Sequence, residues 1–266
     1  MSRRRLIGAG LATVATGLLA RDATAPHPGE SNLSASPPPM LLPPPARPSP
    51  SASPSAGPAP LSRPVYTLKE FRQFVPGPDF APNAVALTID DGPHPAWTPE
   101  VLRLLERHQV PATFCLIGNQ VLGHEAVARS VAEAGHQVAN HTWSHPAQLA
   151  TMPPEQVRQE LDRAQEKIHE TTGQTPTIFR APGGACSPAV FAEAARAGMT
   201  PVNWDRDPRD WTRPGTPAIT ERLLGARAGD ILLCHDGGGD RSQTLAALRT
   251  VIPALQSRGL RFVALR

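Results

Sequence analysis

The chain is poor in cysteine, with three in 266 residues. Cys115, Cys186 and Cys234 are an odd number at no paired spacing, which speaks against a disulfide framework. Cys115 and Cys234 lie inside apolar runs and read as small buried residues. Long apolar runs are scarce as well: the stretch from Leu6 to Ala20 falls short of the ~20 residues a helix needs to span a bilayer. Between Val65 and Arg266 there is no run of lysine and arginine, so nothing marks a face for nucleic acid. No glycine-rich phosphate loop follows the first predicted strand, which argues against a dinucleotide fold.

Proline is abundant, at 32 residues, and unevenly spread. Residues 26–64 include "SASPPPMLLPPPARPSPSASPSAGPAP". Such a Pro/Ser/Ala tract without apolar periodicity cannot bury a core and reads as an extended, disordered linker. Before it, "MSRRRLIGAGLATVATGLLARDATA" has a basic start, an apolar stretch and small residues at Ala23 and Ala25, the layout of a secretory signal peptide over residues 1–25. "SRRRLI" also resembles a twin-arginine export signal. The expectation is a secreted, extracellular or cell-wall protein, with a membrane tether as the competing reading if the signal stays uncleaved. The six arginines before Val65 against Asp22 and Glu30 leave a balance of +4, whereas the whole chain is +3. The basic charge therefore belongs to the leading segment. Residues 65–266 remain for one domain, ample for a sizeable core.

In that domain short apolar segments alternate with helical ones. Strands are predicted at "AVALTID", "ATFCLIG", "HQVAN", "TIFRA", "PVNW", "DILLCHD" and "RFVAL". Thr98 is expected to cap a helix that begins at Pro99. Val157, Leu161, Ala164 and Ile168 form one helical stripe. Ser187-Pro188 opens a further helix that Gly198 stops. Leu245, Leu248, Ile252 and Leu255 mark the last, with a kink expected at Pro253. Such alternation implies an α/β fold, here a distorted (β/α) barrel of about seven parallel strands.

Reactive side chains cluster at the predicted strand ends: Asp90 and Asp91; His141 and His145 in "HTWSH"; Arg180; Asp210 and Trp211 in "DRDPRDW"; and His235 with Asp236. In a parallel barrel these ends converge on one face. Two adjacent acids are ordinarily exposed turn residues, and they repel unless a cation or a division of labour separates them. His141 and His145, at i and i+4, would share one side of a helical turn. Together with one of the two carboxylates they suit a tetrahedral metal that keeps an open position.

These residues resemble the polysaccharide deacetylases of carbohydrate esterase family 4, the NodB homology domain. "TIDD", "HTWSH", "RAPGG", "DPRDW" and "LCHD" match the family's five motifs in order. The resemblance implies a divalent metal held by Asp91, His141 and His145, zinc above all, with cobalt, nickel or manganese as alternatives. It assigns Asp90 as general base, His235 as general acid, Arg180 as the partner of Asp90 and Asp210 as the partner of His235. Gly183 would offer a backbone N–H to the oxyanion, and Trp211 and Leu233 would wall the acetyl methyl group. Ile89 stands where phenylalanine is common, and Gly183 where many members carry tyrosine, which implies a wider groove. The activity implied is N-deacetylation of an N-acetylglucosamine polymer, peptidoglycan or chitin oligomers, with release of acetate. O-acetyl esterase activity on acetylated xylan is the alternative, and an inactive glycan-binding module a more distant one. A monomer with a glycan as its partner is expected. Trp143 and Trp204 are expected to serve packing rather than sugar binding. His124, His136 and His169 are expected at the surface without a role, and His94 near the Asp pair.

Overall fold

The structure, a computed structural model, describes residues 61–266. The expected signal peptide and all but the last four residues of the linker lie outside the described residues. The elements run α1 (Leu68–Phe74), β1 (Ala84–Asp90), α2 (Trp97–His108), β2 (Thr113–Leu116), α3 (Gly118–Val121), α4 (Glu125–Glu133), β3 (Gln137–Asn140), α5 (Pro154–Thr172), β4 (Ile178–Phe179), α6 (Pro188–Arg196), β5 (Thr200–Pro201), α7 (Thr216–Leu224), β6 (Ile231–His235), α8 (Ser242–Ser257) and β7 (Arg261–Val263). All seven predicted strands form, and every pairing between them is parallel.

The strand order is β5-β4-β3-β2-β1-β6, with β7 beside the start of β1. Ala86 pairs with both Ile231 and Val263, so β7 lies on the side of β1 away from β6. The gap between β5 and β6 is closed by single bridges: Val65 to Val202, Thr67 to Asp230, and Arg206 to Leu232. The result is a curled, distorted barrel, as expected. Register brings the strand ends level, since Asp90 pairs with both Cys115 and His235.

All seven residues of β1 are buried, but the two faces differ. Successive strand residues point to opposite faces. Val85, Leu87 and Ile89 pack outward in one core with Leu105 of α2, Val131 of α4, Leu223 of α7 and Leu248 of α8. Ala84 and Ala86 face a second core with Cys115, Ala139, Ile178, Val202 and Ile231, joined by Leu68 and Phe71 of α1. On that inner face Thr88 and Asp90 follow. The barrel interior thus turns from an apolar floor to polar groups towards the strand ends.

Several local expectations are met. The α5 stripe is fully buried; Ser187 Oγ accepts from Val190 N–H at the start of α6; Cys115 and Cys234 are buried, and all three cysteines are free. The kink expected at Pro253 is not among them: α8 is one continuous helix through Pro253 to Ser257. Another expectation fails: Thr98 does not cap α2, which starts earlier from Ala96. Its hydroxyl instead accepts the His94 N–H at 2.8 Å and donates to Asp236 Oδ2 at 2.5 Å. None of the helices among the described residues is long and apolar enough to cross a membrane.

Candidate active site

At the C-terminal ends of the strands lies a cavity of about 600 Å³, lined by Asp90, Asp91, His141, His145, Gly183, Trp211, Leu233 and His235 among others. Arg180 and Asp210 stand behind this lining. Asp236 apart, every residue singled out from the strand-end motifs is therefore gathered in one place.

Neighbouring residues of an ideal strand would point to opposite faces. Asp91 escapes this because its φ is +72°. This left-handed backbone, uncommon outside glycine, turns the second carboxylate back towards the first. Both then face one imidazole: His141 Nε2 lies 3.4 Å from Asp91 Oδ1 and 3.8 Å from Asp90 Oδ2.

The histidine pair converges by a route other than the helical turn expected. Residues 141–145 form no helix, and Thr142 and His145 have φ of +66° and +57°. Side chains substitute for helical hydrogen bonds: Asn140 Oδ1 accepts the Thr142 N–H at 2.8 Å, and Thr142 Oγ1 accepts the His145 N–H at 3.0 Å. The two rings end 4.8 Å apart. His145 Nε2 is 3.3 Å from Asp91 Oδ1.

His141 Nδ1 lies 2.8 Å from the Arg180 carbonyl. A carbonyl only accepts, so Nδ1 carries the proton and Nε2 presents its lone pair to Asp91. Asp91 Oδ1 is buried and finds no hydrogen-bond donor among the described residues. Donor atoms of Asp91, His141 and His145 lie within 4.8 Å of one another. Two imidazole nitrogens, a carboxylate oxygen and an orphaned lone pair fit a divalent cation such as zinc. Burial would raise the Asp91 pKa, but the surrounding imidazoles of His141, His235 and His145 outweigh it and hold the carboxyl well below the carboxylate range.

Arg180 fixes Asp90. Its Nη1 donates to Asp90 Oδ1 at 2.8 Å and to Thr88 Oγ1 at 2.6 Å, while Nε and Nη2 donate to the carbonyls of Val202 and Asn203. Across the cavity, His235 Nδ1 is 2.7 Å from Asp210 Oδ1, which leaves Nε2 for a substrate. Asp210 Oδ2 is held by the His235 N–H and the Thr244 hydroxyl. Burial disfavours the His235 imidazolium, but the Asp210 hydrogen bond and charge, with Asp90 and Asp91, outweigh it and raise the pKa.

Residues 77–202 match the family model described as polysaccharide deacetylase. A peptidoglycan-N-acetylglucosamine deacetylase of Bacillus cereus is 41% identical over 182 residues, covering 67% of this chain and 84% of that one. The chain belongs to the polysaccharide deacetylase family. A chitooligosaccharide deacetylase of a Bradyrhizobium species is 44% identical over 190 residues, 66% of this chain and 86% of the relative. Among solved structures, a peptidoglycan N-acetylglucosamine deacetylase bound to an N-hydroxybenzamide superposes with a TM-score of 0.68 at 31% identity, covering 75% of this chain and 89% of that one.

Some neighbours of the site differ from expectation. Trp204, expected to serve packing, also lines the cavity. His94 turns away: its Nδ1 accepts backbone N–H groups of Ala96 and Trp97. His136 is not a surface residue; it is buried, with Nδ1 accepting the Ala112 N–H and its ring against Phe114. Sequence reasoning passed over Arg241, which is buried and lines the cavity, because its charge alone is the mark of a surface residue. It gave Asp236 no role, yet this carboxyl is fully buried and pushed up to about 7 by burial, with the Thr98 hydrogen bond opposing and the Asp91 and Asp90 charges adding.

Proposed function

We propose that this protein is a metal-dependent hydrolase that removes N-acetyl groups from an N-acetylglucosamine polymer, peptidoglycan or chitin oligomers, and releases acetate. One observation carries the reading: two buried acid–base pairs, Asp90–Arg180 and Asp210–His235, flank the Asp91, His141 and His145 donor set in a single cavity. The names of the relatives support the substrate class.

A divalent cation held by Asp91, His141 and His145 supplies Lewis acidity towards a water and the acetyl carbonyl. Asp90 Oδ2, free of the Arg180 contact, takes a proton from the attacking water. Arg180 holds Asp90 in place. A backbone N–H at Gly183 offers a hydrogen bond to the developing oxyanion. His235 Nε2 then delivers a proton to the departing nitrogen, and Asp210 favours the imidazolium that does so. Trp211 and Leu233 form the apolar wall for the methyl group. An amide nitrogen leaves poorly without a proton, whereas an alkoxide needs less help, so the reinforcement of His235 favours an amide substrate over an acetylxylan ester.

The basic start and proline-rich tract suit an exported catalytic domain carried on a spacer. The deciding experiment measures acetate released from chitooligosaccharides, peptidoglycan and acetylxylan, with metal content determined on the same sample. Acetate from the first two, lost on chelation and recovered with zinc or cobalt, is expected. Release from acetylxylan alone would replace the reading with an esterase; none under any metal would make the domain a glycan binder.

A further inference from the structure

The turn after β6, Gly237 to Arg241, has no part in the mechanism above, yet it packs tightly against Asp91. A Cβ on Gly237 would collide with the Asp91 carbonyl. Gly238 has a φ of +69°, and a Cβ there would lie 2.8 Å from Asp91 Oδ2 and 3.1 Å from Arg241 Nη2. Bare glycine backbone is thus inserted between a carboxylate and a guanidinium. Arg241 is only 4% exposed, and its Nε–H donates to the Gly237 carbonyl at 2.5 Å, which closes the turn on itself. Asp91 needs support of this kind. A non-glycine residue in the left-handed region persists only where its surroundings over-determine it.

We propose that this turn positions the Asp91 carboxylate for its metal, Gly238 setting the rotation of the carboxylate and Arg241 acting as a positioning residue that holds the turn shut. The inference rests on the reading of Asp91 as a metal ligand. With no side chain at Gly238, Oδ2 lies against the backbone and Oδ1 is aimed at the Nε2 atoms of His141 and His145, 3.4 and 3.3 Å away. A methyl group at position 238 pushes Oδ2 aside and rotates Oδ1 off that line. Groups that orient a ligand in this way are worth roughly 10–100-fold in metal affinity.

The test compares zinc affinities, by competition with a chromophoric chelator, for metal-free wild type, Gly238→Ala, Arg241→Gln and Gly239→Ala. Gly239 is the control: its φ is also positive, at +138°, but nothing lies within 4 Å of its Cβ position. Alanine there strains the backbone without touching Asp91. Affinity should fall about tenfold or more in Gly238→Ala and Arg241→Gln, and stay at the wild-type value in Gly239→Ala even if that variant melts lower. Wild-type affinity in Gly238→Ala overturns the inference. So does an equal loss in Gly239→Ala, which would make general loop strain the cause. Should Gly238→Ala fail to fold, Arg241→Gln against Gly239→Ala decides in the same way. A wild type that takes up no zinc sinks the metal reading itself and this inference with it, a result distinct from both others.

Discussion

Arg180 Nη1 donates to Asp90 Oδ1 at 2.8 Å, with both side chains sealed from solvent to within 3%. The pair joins fold to chemistry, because the same guanidinium also binds the carbonyls of Val202 and Asn203 just past β5. Breaking a buried ion pair by removing one partner leaves an uncompensated charge. Arg180→Ala should therefore lose about 3–5 kcal/mol of stability as well as activity. Urea unfolding checks this; an unchanged midpoint would mean that Asp90 is solvated in a way the geometry does not suggest.

Asp90→Asn separates base from ligand. Asn keeps an oxygen to accept from Arg180 but cannot take a proton from water. Acetate release should fall by about 10²–10⁴-fold, the usual worth of a general base, while metal content stays at the wild-type level. Full activity would remove Asp90 from the mechanism, and parallel loss of metal would make it a ligand.

Asp210→Asn tests the proton donor. His235 must be protonated to act, and its raised pKa keeps it so further into the alkaline range. Activity is then present below that pKa and lost as pH rises through it. Removing the Asp210 charge lowers the pKa, so the alkaline limb of the kcat profile should move to lower pH. An unmoved limb would place the titrating group elsewhere.

Much of this was legible in the sequence. Parallel pairing and level strand ends follow from alternating elements, and they gather residues as distant as Asp90 and His235. What stayed hidden was backbone conformation. The spacing of His141 and His145 suggests a helical turn, but Thr142 and His145 are left-handed and side-chain hydrogen bonds hold them there. The adjacency of Asp90 and Asp91 does not say that φ of +72° brings both to one cavity. Burial of polar residues was equally hard to read: Thr98, Arg241 and His136 look like a cap and two surface groups, because nothing local announces the partners awaiting them.

His136 gives a prediction independent of catalysis. Burial lowers its pKa from 6.5 to about 4, and its Nδ1 must stay unprotonated to accept the Ala112 N–H at 3.2 Å. The unfolded chain takes up this proton near pH 6.5 and the folded one only near 4, so between these values the unfolded state binds more protons and stability rises with pH. The contribution is complete above about pH 6.5 and is lost as pH falls towards 4, to a total on the order of 3 kcal/mol. Gln at position 136 can still accept from Ala112 but does not titrate. Unfolding free energies of wild type and His136→Gln, measured in urea at pH 7 and pH 4.5, should show a shallower acid decline for the variant. Identical slopes would mean that the imidazole reaches water and charges in place, and that its packing against Phe114 is looser than the 5.3 Å between ring centres implies.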